Sequence, residues 1–128
     1  MKCPCHSGKD YQQCCMPYHE GTLPKDALTL MRSRYSGYAL GKVDYIIDTS
    51  HPDIKKNLKR SELEMFCKIV DFHDLKILKT ELVEPISTVT FRAILKQNER
   101  DISFTEKSFF EKIDGRWIYT RGELSPIT

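Results

Sequence analysis

Four of the five cysteines fall within the first fifteen residues, as Cys3-Pro4-Cys5 and Cys14-Cys15 with eight residues between the pairs. Zinc favours a tetrahedral set of thiolates, and two cysteine-bearing turns brought face to face by a short loop would close such a site. Ser7-Gly8-Lys9 in the spacer supplies turn chemistry, with Gly8 free to take positive φ, and Lys2 and Lys9 would offset the negative charge of four thiolates. A pair of disulfides would need an oxidising compartment, and adjacent Cys14 and Cys15 do not pair easily with each other. A redox thiol is the other alternative, and neither it nor the disulfides explains four cysteines so close together; zinc is preferred to the disulfide, redox and iron–sulfur readings. The expectation is one structural Zn2+ held by Cys3, Cys5, Cys14 and Cys15, with His6 and His19 as residues that could replace a cysteine. Four thiolates leave no open coordination position, so the metal would fold a surface rather than act as a Lewis acid.

A second set of residues has types suited to proton transfer or anion binding: Arg34, Tyr35, Tyr38, His51, Asp53, His73 and Glu106. None of them forms a catalytic signature. An isomerase or dehydratase would need a carboxylate or histidine base facing an oxyanion donor, a geometry that spacing does not display. His51 precedes a proline and reads equally as a helix-end residue, while His73 between Asp71 and Asp74 reads as solvated. Arg32 and Arg34 could anchor an anion, or one could face solvent while the other pairs with a carboxylate. Trp117 and Tyr119 alternate near the end and could line a cavity or fill a core. Lys55, Lys56, Lys59 and Arg60 make a basic run that could touch phosphates or form an ordinary solvated face. Cys67, beside Met65, Phe66 and Ile69, reads as a buried inert thiol.

These residues need elements to position them. The chain has 128 residues, 40% hydrophobic and 30% charged, which suits one globular domain with a short appendage. The formal charge of +2 falls to zero once four thiolates hold one zinc ion, so overall charge indicates no partner. No apolar run suits a membrane span, and Met1-Lys2-Cys3-Pro4 lacks the apolar stretch of a secretory signal; a cytoplasmic protein is expected. Met16 to Leu23, with Pro17 and Gly21, reads as a linker. Pro24 suits a first helical position, and Leu28, Met31, Tyr35, Tyr38 and Ala39 recur at helical spacing up to Gly41. A shorter helix follows over Val43 to Thr49, ended by His51-Pro52, and Ser61 with Glu64 makes a capping box for a third helix reaching about Phe72.

From Leu75 the period shifts towards two, predicting strands near 76–84, 86–97, 101–113 and 116–122, broken by Glu84-Pro85, Gln97-Asn98 and Asp114-Gly115. Val89, Phe91, Ala93 and Leu95 share one face of the second strand, and Phe109-Phe110 suggests a bulge that resets the alternation of the third. The fold class is α+β: an N-terminal knuckle over residues 1–20, then residues 24–128 with helices covering one face of a curved four-stranded antiparallel sheet, a shape that leaves a cavity.

The stretch CPCHSGKDYQQCC from Cys3 to Cys15 closely resembles the SEC-C motif, the zinc-binding tail of the SecA translocation ATPase. His6 stands where that motif usually has glycine, a substitution compatible with a left-handed turn. Leu30-Met31-Arg32-Ser33-Arg34-Tyr35, His51-Pro52 and Gly115-Arg116-Trp117 with Tyr119 resemble the YchJ family of bacterial proteins over essentially the whole chain. The resemblance implies a SEC-C knuckle joined to a nuclear-transport-factor-2-like, cystatin-like cone, an architecture also used by ketosteroid isomerase. Some members carry a second knuckle at the C-terminus, whereas this sequence ends at Pro126-Ile127-Thr128 without cysteines. By similarity to the SecA tail, which contacts a chaperone and the ribosome, the knuckle is expected to dock onto a protein, chaperone or ribosomal partner. The cone could instead bind a small molecule or carry out proton transfer in its cavity, and cone domains often form homodimers through the open sheet face.

Overall fold

The computed structural model describes residues 1–125, so the cysteine-free Pro126-Ile127-Thr128 lies outside the described residues. After the cysteine-rich segment come α1 (Met16–His19), α2 (Ala27–Leu40), α3 (Val43–Asp48), α4 (Pro52–Lys55) and α5 (Arg60–Ile69), then β1 (Val70–Val83), β2 (Ile86–Gln97), β3 (Arg100–Asp101), β4 (Phe104–Ile113) and β5 (Arg116–Leu124). The fold is the expected α+β arrangement. Its antiparallel sheet runs β1-β2-β4-β5, with the two-residue β3 added beside β2.

Local chemistry moves several boundaries. Asp26, not Pro24, sets the start of α2: its carboxylate accepts the Thr29 N–H at 2.8 Å, satisfying one of the amides that a helix start leaves open. Gly41 ends α2 in the left-handed conformation at φ 74°. The segment expected to be a linker contains α1, with Pro17 in its first turn. The capping box at Ser61 and Glu64 does not form, because Lys59 is the N-cap and Ser61 already lies inside α5. That helix ends at Ile69 rather than Phe72, since Val70 turns extended and begins pairing with Gln97. The pull of the neighbouring strand thus starts β1 six residues before the expected Lys76.

The hairpin at Asp114-Gly115 has φ of 51° and 77°, the two positive values of the expected type I′ turn. The bulge near Phe109-Phe110 exists but resets the other strand: Phe109 pairs with Arg121 and Phe110 with Tyr119, so the extra residue is Thr120 of β5. Alternation in β4 therefore survives, and Phe104, Glu106, Ser108 and Phe110 all line one cavity.

The core lies between α2 and the sheet. Leu30, Met31 and Tyr35 of α2 join Val89, Phe91, Ala93 and Leu95 of β2, the run expected on one face, together with Phe110 and Trp117. No helix is long and apolar enough to cross a membrane among the described residues.

Candidate metal centre and cone cavity

In the cysteine-rich segment, the Cys3 N–H donates to the Lys9 carbonyl at 2.9 Å and the His6 N–H to the Cys3 carbonyl at 3.1 Å, so the first pair sits on a tight turn. His6 completes that turn at φ 61° and Gly8 follows at 89°, so His6 does take the left-handed conformation expected of it. The turn at Tyr11–Gln13 brings the second pair opposite, with the Cys14 N–H on the Tyr11 carbonyl at 3.0 Å. The four sulfurs lie within 4.8 Å of one another. A tetrahedral zinc with bonds of about 2.3 Å spaces its sulfurs about 3.8 Å apart, so this donor set fits a thiolate-bound metal with little rearrangement. The hydrogen bond from Cys15 pulls the Cys5 thiol down to about 4, while burial pushes Cys3 up to about 11. One thiolate is therefore available near neutral pH, and a dication would displace the protons of the others.

Neither histidine joins the sulfurs. His6 lies edge-on to the Tyr35 ring, 6.0 Å between centroids, with Nδ1 4.0 Å from Asp74 Oδ1. The His19 Nε2 donates to the Ser33 carbonyl at 2.8 Å, which leaves Nδ1 to accept the Tyr11 hydroxyl at 2.6 Å and identifies a neutral ring. Burial lowers its pKa in keeping with that form. Gly37 keeps α2 thin here: a Cβ at that position would meet Ile46 Cδ1 at 3.3 Å and His19 Nε2 at 3.6 Å. Lys2 pairs with Asp10 at 3.7 Å, while a cation within hydrogen-bond reach of a sulfur is Arg32 of α2. Its Nη1 donates to the Cys5 carbonyl at 3.0 Å and stands 3.9 Å from Cys5 Sγ. Nothing in the cysteine spacing points to Arg32, because it arrives from 27 residues away.

Beneath α2 the curved sheet leaves a cavity of about 390 Å³. Met31, Arg34, Tyr35 and Tyr38 of α2 form one wall, Phe91 and Leu95 of β2 another, and the inward residues of β4 with Tyr119 a third. Asn57–Lys59 and α5, through Glu62, Leu63 and Phe66, complete the lining. Arg34 is only 8% exposed and pairs with no carboxylate among the described residues. Its Nη1 donates to the Ile46 carbonyl, the Thr49 hydroxyl and the Ser50 hydroxyl at 3.0, 2.7 and 3.2 Å, and its guanidinium lies 4.5 Å from the Tyr119 ring centroid. Glu106 accepts the Ser108 hydroxyl at 2.5 Å and lies 3.5 Å from the Tyr119 hydroxyl. Burial, then the Glu106 charge, raises the Tyr119 pKa, so that hydroxyl stays a donor.

Of the residues the sequence offered for a cavity, Arg34, Tyr35, Tyr38, Glu106 and Tyr119 do line this space. His51 does not. It caps α4, its Nδ1 accepting the Asp53 N–H at 3.0 Å, because the following proline fixes a helix start there. Trp117 is also outside the cavity: two residues nearer the hairpin than Tyr119, it packs into the core and walls a smaller cleft of about 200 Å³ with Tyr18 and Leu23. His73 is exposed, and Lys59 and Arg60 of the basic run are engaged with Glu62 and Asp44. Cys67 is half-buried rather than buried, with its pKa raised by that partial burial.

The sequence profile described as YchJ, middle NTF2-like domain, matches residues 26–122, and that of the SEC-C motif matches residues 2–17. A UPF0225 protein of Actinobacillus succinogenes is 40% identical over 120 residues, covering 91% of this chain and 78% of that protein. The solution structure of a SEC-C motif containing protein from Rhodopseudomonas palustris superposes with a TM-score of 0.89 at 33% identity, over 98% of this chain and 100% of that one. The crystal structure of a SEC-C motif containing protein from Psychrobacter arcticus gives 0.83 at 29% identity, over 98% of this chain and 84% of that one. With a four-cysteine cluster suited to a metal ion at one end and the NTF2-like cone filling the rest, the chain belongs to the YchJ family.

Proposed function

We propose that the protein binds a small molecule in the cone cavity, and that one structural zinc held by Cys3, Cys5, Cys14 and Cys15 braces the α2 wall of that site. The cavity itself carries this reading. It is of ligand size, apolar over most of its lining, and furnished with a few polar groups, among them Arg34 of α2 and Glu106 and Ser108 of β4. Zinc suits an all-thiolate set at this spacing, and bound there it supplies structure, since no coordination position stays open. The bracing follows from Arg32, His19 and His6, which tie the cysteine turns to α2 and β1. The test is titration of isotope-labelled, metal-loaded protein with a library of small aromatic and aliphatic fragments. Amide shifts clustered at Phe91, Phe104 and Tyr119 are expected; shifts confined to residues 1–20, or none at all, would refute cavity binding.

A second reading, docking of a protein, chaperone or ribosomal partner to the knuckle, is favoured by the exposure of Lys2, Gly8, Lys9, Gln12 and Gln13 together on its surface. Replacing Lys2, Lys9, Gln12 and Gln13 with alanine leaves every cysteine in place. Loss of a co-purifying partner from that variant supports docking, and unchanged recovery removes it.

A further inference from the structure

We infer that the ligand of this cavity carries a protonated amine, seated against Glu106. The inference rests on the cavity-binding reading and names the chemistry of its ligand. Glu106 points inward from β4 between Phe104 and Ser108. Its Oε2 accepts the Ser108 hydroxyl and faces the Tyr119 hydroxyl, whereas Oε1 has no hydrogen-bond donor and the carboxylate no basic partner among the described residues. An open carboxylate oxygen facing a cavity with largely apolar walls is an acceptor suited to a charged donor.

Both cations of the lining are engaged elsewhere: Lys59 pairs with Glu62 at 3.8 Å. Arg34 directs Nη1 to three oxygens at the end of α3, and its guanidinium carbon lies 4.5 Å from the Tyr119 ring centroid. Phe91, Phe104 and Phe110 of the lining present π systems that also favour a positive charge.

The position of the carboxylate is built into the sheet. Gly122 of β5, paired with Ser108, has no side chain, and a methyl group there would come within 2.8 Å of the Glu106 carboxyl carbon and both its oxygens. Glycine within a strand weakens it, and here its effect is to make room for the bent Glu106.

The test uses full-length, metal-loaded protein and three probes with one indole body: tryptamine, 3-ethylindole and indole-3-acetate, titrated by NMR. Tryptamine is expected to bind about tenfold or more tightly than 3-ethylindole, the gain of one charge-assisted hydrogen bond, with indole-3-acetate weakest. Glu106→Gln should erase that margin, read as the ratio of tryptamine to 3-ethylindole affinity in the same variant, and Gly122→Ala, which displaces the carboxylate, should narrow it. Tryptamine binding no tighter than either other probe, or a margin that survives Glu106→Gln, would overturn the amine assignment. If none of the three probes moves cavity resonances, cavity binding itself fails with it.

Discussion

At the knuckle, polar atoms close on one another: four sulfurs within 4.8 Å, three of their residues buried, and a guanidinium against the one carbonyl that faces it. In the cavity the polar atoms come from two elements, Arg34 of α2 and the Glu106–Ser108 pair of β4, and Arg34 and Glu106 are each anchored on one side only. A closed donor set makes a fold, because nothing is left to offer a substrate, whereas a half-satisfied set around empty volume makes a binding site. The two regions share α2. Arg32 and Ser33 meet the knuckle, Tyr35 meets His6 on one side and the cavity on the other, and Arg34 and Tyr38 line the cavity.

If that division is right, damage to the knuckle should cost more than damage to the cavity and should reach it. Cys5→Ser is expected to abolish metal binding and lower stability by about 5 kcal/mol, read from metal content and urea unfolding together. Full metal occupancy in this variant would break the ligand assignment. Phe110→Ala, truncating a fully buried ring at the cavity, should cost about 3–5 kcal/mol in the same unfolding experiment and leave one metal bound. Loss of metal there would show that the regions are not distinct in role.

His19→Ala cuts the seam without touching a cysteine. It removes partners from Tyr11 and Ser33 and should lower stability by about 1–3 kcal/mol with metal retained.

The smallest effect is expected from alkaline pH. Burial raises the pKa of Tyr35 and Tyr119 above the ordinary 10.0. The folded protein thus holds these protons more tightly than the unfolded chain, so their stabilisation is complete below pH 10 and is lost as pH rises beyond it. Unfolding at pH 8 and pH 11 should show a lower midpoint at the higher pH, and Tyr119→Phe should reduce the difference.

The knuckle was legible in the sequence because its donors are neighbours along the chain, so spacing alone carried the geometry. The cavity was legible only in outline. Its lining runs from Met31 to Tyr119, and whether an aromatic residue lines or misses it depends on the depth at which its strand crosses α2. Trp117 and Tyr119 alternate identically yet end in the core and the cavity, and no pattern of two separates them. The sheet's grip on Val70 and Phe72 likewise overrode the helical signal around them. Gly122 carried a sign that could have been read, a glycine within a predicted strand, but its partner Glu106 is sixteen residues away and emerges only with the β4–β5 register.

The most direct test of the shared helix is amide hydrogen exchange of the metal-loaded protein before and after chelation. Faster exchange at Met31–Tyr38, with β2 and β4 still protected, is the predicted result. Unchanged protection of α2 after metal removal would contradict the coupling of the knuckle to the cavity wall.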